Sequence, residues 1–358
     1  MAAVLVCLPM TITEAIKQIV DRRNLSVDEA EAVLEQIMTG GCSDAQIAAL
    51  LTALRMKGET VDEIIGFARV MRRKAVAVRP QRFVSSEIAG TEREALIDTC
   101  GTGGDVSGSF NVSTATAFVV AGCGVRVAKH GNRSVSSQCG SADVVEALGI
   151  KIELAPAMIA ACIDQVGIGF LHAPLLHEAM KFVAPARRQM AIRTIFNMLG
   201  PLTNPAGANT QVIGVYAAPL TEMLAEALRV LGSKRALVVH GSDGLDEISI
   251  SAESKITELA KGELQTYTVT PEDFGLRRAP LEAIRGGDAQ QNSRMILEVL
   301  NGGRGPRRDI VLLNGAAALV ASSRVSDFTE GVGLAAEAID SGAALAKLER
   351  LIEFTNQA

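Results

Sequence analysis

Residues 98–137 constrain this chain more than any other stretch. The apolar run Ala95-Leu96-Ile97 reads as a strand and leads into Asp98-Thr99-Cys100-Gly101-Thr102-Gly103-Gly104-Asp105. Small residues at 101–104 let the backbone turn sharply and leave its N–H groups uncovered. Asn111-Val112-Ser113-Thr114 then open a helix-compatible apolar stretch, Ser113 to Ala121. That puts them at a helix N-terminus, where first-turn amides and the dipole attract anions. Val125–Ala128 reads as the next strand and ends in Lys129-His130-Gly131-Asn132-Arg133-Ser134-Val135-Ser136-Ser137. Both polar loops follow strands, and in an open α/β sheet ligands bind outside the carboxyl ends of the strands.

Charge sharpens the reading. The chain has a net charge of −5, yet no Asp or Glu occurs from Val106 through Ala142, where Arg126, Lys129 and Arg133 are found. A second acid-free window, Ala179 through Thr221, carries Lys181, Arg187, Arg188 and Arg193. Such windows suggest a local anion site; the competing reading is buried apolar structure, where acids are rare in any case. The density of Ser, Asn, Thr and Lys at the loop ends favours the anion site.

The glycine loop is not a Walker A loop, because no Gly-Lys-Ser/Thr follows. Nor is it the dinucleotide fingerprint, because Val106 stands where a third glycine would be. Read together, GTGGD, NVST and KHGNRSVSS resemble the phosphoribosyl-diphosphate site of the anthranilate phosphoribosyltransferases of tryptophan biosynthesis. Gly200-Pro201-Leu202-Thr203-Asn204-Pro205 and His240-Gly241-Ser242-Asp243-Gly244-Leu245-Asp246-Glu247 add to the resemblance, which covers roughly residues 11–350. It implies a Mg²⁺-dependent pentosyl transfer from 5-phosphoribosyl 1-diphosphate to anthranilate, with two Mg²⁺ per monomer, and a cytoplasmic homodimer joined through a helical N-terminal domain.

The rest of the chain fits that frame. Residues 1–9 are apolar but lack a basic flank and are too short for a signal peptide, so a disordered leader is expected. Residues 10–74 read as a helical domain. Ser26 with Glu29, Ser43 with Gln46 and Thr60 with Glu63 match the capping box. Gly40 and Gly58 follow as caps, and Ile47, Leu50, Leu51 and Leu54 recur at helical spacing. Residues 75–95 read as a linker or hinge, because Val78-Arg79-Pro80 breaks the helix. From 96 to 358, β-branched runs at Ile168–Leu171, Gln211–Val215 and Ala236–His240 alternate with helical periods. The expected fold is α/β: a small helical domain plus a large one with a mostly parallel central sheet flanked by helices. Helices near 175–197 are expected to pack toward the helical domain. Ile256–Leu259 and Leu264–Val269 look like an antiparallel pair, and helical stretches near 289–301, 306–321 and 326–352 close the chain. Asn314-Gly315-Ala316-Ala317-Ala318 is assigned to core.

Composition excludes several classes. Six scattered cysteines without a C-x-x-C pair, and four histidines without H-E-x-x-H, speak against zinc and fit reduced thiols in a cytosol. No apolar run reaches membrane-spanning length. Negative net charge and few aromatics (Phe 10, Tyr 2, Trp 0) argue against nucleic acid as a partner.

Transfer at an anomeric carbon passes through an oxocarbenium-like state, so positioning and electrostatics matter more than a strong base. Gly101, Gly104 and Asp105 would turn around the substrate, with the diphosphate and ribose placed there by the resemblance. Ser109 and Asn111, Val112, Ser113 and Thr114 offer hydroxyls and amides, the alternative being an N-cap cluster without a ligand. The resemblance extends the phosphoribosyl-diphosphate contacts through Lys129–Ser137 and to Ser141. Adjacent carboxylates such as Asp246-Glu247 repel, and a hard cation relieves this; the alternative is a solvated acidic turn. Ser113 would complete the metal shell. Arg187 matches the family's anthranilate-binding arginine, with a fork suited to a carboxylate. Its neighbour Arg188 is the candidate for a plain surface residue. Asn132, Gly101, Ala173, Pro174 and Gly200 follow the family as acceptor contacts. His130 and Asn132 would position substrate, and no residue is needed as a strong general base because an aryl amine is neutral at pH 7. Glu178 departs from the family's His-Pro-Ala-Met, putting a charge near the acceptor entrance. Two other readings compete: a pyrimidine-nucleoside phosphorylase of the same fold, and a non-catalytic nucleic-acid-binding relative.

Overall fold

Each of the first four helices starts at a hydroxyl that satisfies its own first turn. In α1 (Ile12–Val20), α2 (Val27–Met38), α3 (Asp44–Lys57) and α4 (Val61–Lys74), a Thr or Ser accepts the N3 amide while the N3 Glu or Gln reaches back. Three of these boxes are the expected ones; Thr11 with Glu14 is a fourth of the same pattern. Gly40 and Gly58 have φ of +79° and +92°, the left-handed region that stops α2 and α3. Ile47, Leu50, Leu51 and Leu54 are all buried, as their spacing predicts. The buried Glu63 carboxylate is matched by Lys57 Nζ at 3.1 Å and by the Leu25 and Thr60 amides at 3.0 and 2.9 Å, which offsets its desolvation.

The computed structural model describes residues 10–81, 94–103, 107–133 and 139–357. These form two units, 10–75 with His177–Thr203 and Val76–Leu176 with the chain from Asn204 onward. The first unit is therefore discontinuous. Its second segment packs on the helices: the Phe196 ring lies 6.2 Å from that of Phe67, and Arg72 Nε donates to Leu202 O at 2.7 Å. Residues 76–81, within the stretch expected to link, run with the second unit. Val78 is buried there and its amide donates to Pro205 O at 3.0 Å.

The second unit is built on a seven-stranded sheet of order β3-β2-β1-β4-β5-β6-β7. The strands are β1 (Leu96–Gly101), β2 (Arg126–Gly131), β3 (Ile168–His172), β4 (Thr210–Gly214), β5 (Arg235–Gly241), β6 (Ser254–Ala260) and β7 (Glu263–Val269). The first five pair in parallel, and β6 and β7 add antiparallel strands beyond β5. The expected antiparallel pair is thus part of the main sheet. From β1 the chain winds outward through β2 to β3, then returns to the other side of β1 with β4, so the order reverses between β1 and β4. Helix Val112–Gly122 is buried on every side within the larger core cluster, as its all-apolar, small-residue sequence allows. One correction concerns the last helical stretch. It is two helices, Phe328–Asp340 and Ala343–Asn356, parted at Gly342 with φ +78°.

Candidate active site

The site begins where the strand order reverses, the place at which open α/β sheets bind ligands. Gly101 and Gly214, the last residues of β1 and β4, are partners in register there. A Cβ on Gly214 would lie 1.5 Å from Asp246 O, and one on Gly101 would lie 2.7 Å from Asp246 Oδ2. Both positions are glycine because the acidic turn after β5 lies directly over them. Gly103, at φ +65°, donates its amide to Asp246 Oδ2 at 3.2 Å, and the Thr102 amide donates to Gly214 O at 2.8 Å. Leu245 and Ile248 are buried on either side of the half-buried Asp246 and Glu247, which pins the turn and leaves the carboxylates at the edge.

The start of helix Val112–Gly122 approaches the same edge. Asn111 makes no side-chain cap; its amide donates instead to Cys139 O at 3.3 Å and accepts from Asn292 at 2.9 Å. The first-turn amides are thus not covered by their own N-cap side chain. Val112 and Thr114 are buried, so what they can offer a ligand is backbone, whereas Ser113 is half-buried. Lys129 Nζ donates to Thr99 O at 2.5 Å and to Ser113 Oγ at 3.3 Å. Burial lowers the Lys129 pKa, opposed by the negative fields of Asp98, Cys100 and Glu247. Asp98, wholly buried, is pushed up to about 6 by desolvation, against the Lys129 charge and hydrogen bonds from Asn204 and the His130 amide. Asn204 also donates to Ala128 O at 2.8 Å, so the Thr-Asn-Pro segment is tied to β1 and β2.

Around the end of β2, Gly131 leaves no room for a side chain, since a Cβ would lie 2.3 Å from Ser141 Oγ and 2.7 Å from the Phe170 ring. The Asn132 amide donates to Ser141 Oγ at 3.2 Å while its side chain stays exposed. Arg133 donates to Asp143 at 3.1 Å and Glu146 at 2.5 Å, so a phosphate oxygen reaching it must compete with two carboxylates. Ser109 is half-buried and bridges antiparallel to Arg285. Gly104, Asp105, Ser134, Val135, Ser136 and Ser137 lie outside the described residues.

In the first unit, Arg187 is half-buried on helix Ala184–Met190, its guanidinium 5.4 Å from the Phe196 ring centroid, with its pKa lowered by burial. Among the described residues no carboxylate pairs with it, and Arg188 is exposed. A Cβ on Gly200 would meet nothing within 4 Å, so its lack of a side chain is not demanded by packing. Glu178 is exposed; in the second unit, Pro174 is exposed and Ala173 half-buried.

Comparison with known proteins decides the family. A glycosyl transferase family model for the a/b domain matches residues 93–345, and one for its helical bundle domain matches 13–75. An anthranilate phosphoribosyltransferase from Geobacter sp. (strain M21) is 53% identical over 350 residues, covering 97% of this chain and 99% of that one. The chain belongs to the anthranilate phosphoribosyltransferase family. The enzyme of this family from Thermus thermophilus superposes with a TM-score of 0.87 at 42% identity, over 96% of this chain and 99% of that one. The Saccharomyces cerevisiae member, solved in complex with PRPP and Mg, superposes with a TM-score of 0.86 at 27% identity, over 97% of this chain and 98% of that one. The same yeast protein has been solved in complex with 4-fluoroanthranilate.

The donor set suits the cation expected in this family. Mg²⁺ is usually held by one or two carboxylates plus substrate phosphates, with no all-protein cage. Asp246, Glu247 and the Ser113 hydroxyl are hard oxygen donors of that kind. No group of three or more His, Cys, Asp or Glu among the described residues forms a closed set. No described helix is long and apolar enough to cross a membrane. Sequence reasoning missed Gly214, because the reason for it is a backbone 32 positions later in the chain that no local pattern reveals.

Proposed function

We propose that the chain transfers the phosphoribosyl group of 5-phosphoribosyl 1-diphosphate to the amine of anthranilate, giving N-(5-phosphoribosyl)anthranilate and diphosphate in tryptophan biosynthesis. The observation that carries this reading is the seating of Asp246 over the paired Gly101 and Gly214 at the strand-order reversal, next to the first turn of helix Val112–Gly122. The amine nitrogen forms a bond to the anomeric carbon as that carbon's bond to the diphosphate oxygen breaks, and a proton then leaves the nitrogen. Gly101 and the amides of the helix start, with Ser109, Ser113 and Lys129, receive the diphosphate and ribose phosphate. Asp246, Glu247 and Ser113 would hold Mg²⁺, two ions per monomer, which neutralises the leaving diphosphate. Asn132 and His130 orient the acceptor, Arg187 takes its carboxylate, and Ala173, Pro174 and Gly200 contact its ring. The protein works in the cytoplasm as a homodimer through the helical domain, a reading supported by Val20 and Met56, apolar side chains 65% and 69% exposed on α1 and α3.

The test is the loss of anthranilate fluorescence on adding 5-phosphoribosyl 1-diphosphate with Mg²⁺, omitting each component in turn. Loss that needs all components is expected. Unchanged fluorescence with phosphorolysis of thymidine or uridine would replace this reading with a nucleoside phosphorylase.

A further inference from the structure

Behind the acidic turn lies a buried amide that sequence reasoning left in the core. Asn314 sits midway along helix Pro306–Ala321 and is 1% exposed, among Leu312, Leu313, Ala316 and Ala317. Its Oδ1 accepts from the Ile248 amide at 2.9 Å, while its Nδ2 donates to Ile248 O at 3.1 Å and to Ile310 O at 2.9 Å. Both backbone groups of the residue directly after Glu247 are therefore gripped by one side chain 66 positions later. Ile248 belongs to no strand or helix, and buried irregular backbone must find partners somewhere. A position meant only for packing would carry an aliphatic side chain, because a buried amide is tolerated only when its polar atoms are bonded.

The rest of the turn is fastened in the same manner. Asp243 accepts from Ser249 Oγ at 2.6 Å and from Ser251 Oγ, and the Ser249 amide donates to Ser254 Oγ at 2.8 Å. These bonds hold the loop to itself and to β6. Asn314 alone among them ties it to a different layer of the fold, the helix packed against the sheet.

We propose that Asn314 is a positioning residue for the cation: by fixing both backbone groups of Ile248 it sets where the Glu247 carboxylate points. The proposal rests on the reading of Asp246 and Glu247 as cation ligands. Residues that orient metal ligands typically change affinity by about 10–100-fold when removed.

The experiment measures Mn²⁺ binding by electron paramagnetic resonance on the full chain with 5-phosphoribosyl 1-diphosphate present, alongside thermal unfolding. Asn314→Ala is expected to weaken Mn²⁺ about tenfold or more. Leu319→Ala, at a buried position of the same helix, is expected to lower the unfolding temperature while keeping Mn²⁺ affinity within about twofold, since it leaves every bond to the turn in place. Asn314→Ser, whose hydroxyl and the space beside it admit a bridging water, should fall between Asn314→Ala and wild type. Equal Mn²⁺ affinity in wild type and Asn314→Ala, with Asp246→Asn weak, overturns the proposal and leaves the ligand assignment standing. Equal affinity in wild type and Asp246→Asn overturns the ligand assignment and the proposal with it. Parallel weakening in Asn314→Ala and Leu319→Ala, or loss of cooperative unfolding in both Asn314 variants, makes Asn314 a folding requirement and also overturns it.

Discussion

The two acid-free windows look alike in sequence and differ in space. In the first, cations are met by acids from outside the window: Arg126 by Glu94, Arg133 by Asp143 and Glu146, and Lys129 by the fields of Asp98 and Glu247. In the second, Lys181 lies 5.2 Å from the Phe182 ring centroid and Arg187 5.4 Å from that of Phe196, with no carboxylate of the described residues on Arg187. A run without acids is therefore not a volume without acids. The first window builds an edge in which each of these cations is balanced by acids from elsewhere in the chain. The second keeps an arginine on an apolar ring, where a charge-assisted fork is available to a carboxylate.

The strongest way to break this contrast is to remove the acids that balance the first window. Asp246→Asn with Glu247→Gln should cut turnover on the order of 10²–10³-fold or more while the fold persists. Wild-type turnover with unchanged Mg²⁺ dependence, read from initial rates across a Mg²⁺ series, would discard the assignment.

Next comes a change that alters no charge at all. Gly214→Ala places a methyl 1.5 Å from Asp246 O, so the turn must move and activity should drop to near that of the double variant. Gly333→Ala is the control, a helical glycine with nothing within 4 Å of its added Cβ. It should keep full activity and gain about 0.5–1 kcal/mol of stability. Full activity in Gly214→Ala, checked by steady-state kinetics, would mean that the turn is not held where the site needs it.

In the second window, Arg187→Ala should cost about 1.5–3 kcal/mol in use of anthranilate, roughly tenfold to a hundredfold, with phosphoribosyl-diphosphate binding little changed. Arg188→Ala should have little effect. Aniline, which lacks the carboxylate, should lose little further in Arg187→Ala; if it loses as much as anthranilate does, the arginine is structural. The smallest effect belongs to Arg133→Ala. Because its guanidinium is engaged by Asp143 and Glu146, the KM for phosphoribosyl diphosphate should rise less than about threefold, as for an exposed pair. A larger rise, with a steeper dependence on salt, would mean that the phosphate displaces those acids.

Much of this was legible in the chain because the signals are local. A capping box is read within four residues, and an Asn-Val-Ser-Thr run before small apolar residues can scarcely be anything but a helix start. The break at Gly342 was not read, because the apolar period continues across Ser341-Gly342 and hides the boundary. What could not be read was adjacency. Nothing near Gly214 says that Asp246 will cross over it, and nothing in the apolar surroundings of Asn314 says that Ile248 lies opposite. Both residues answer to a loop that belongs to a different part of the chain, so their roles emerge only once strand order is known.

The discontinuity of the first unit has a consequence for how the chain is made. Synthesis delivers residues 10–75 first, but the segment that completes their unit, His177–Thr203, emerges only after 76–176. Helices α1 to α4 can cap themselves at once, whereas Phe67 and Arg72 wait for Phe196 and Leu202. Domains usually fold as units in order of synthesis, at about 5–20 residues per second. Here the earliest-made unit lacks its second segment until β1, β2 and β3 have been laid down, so it is completed only after them.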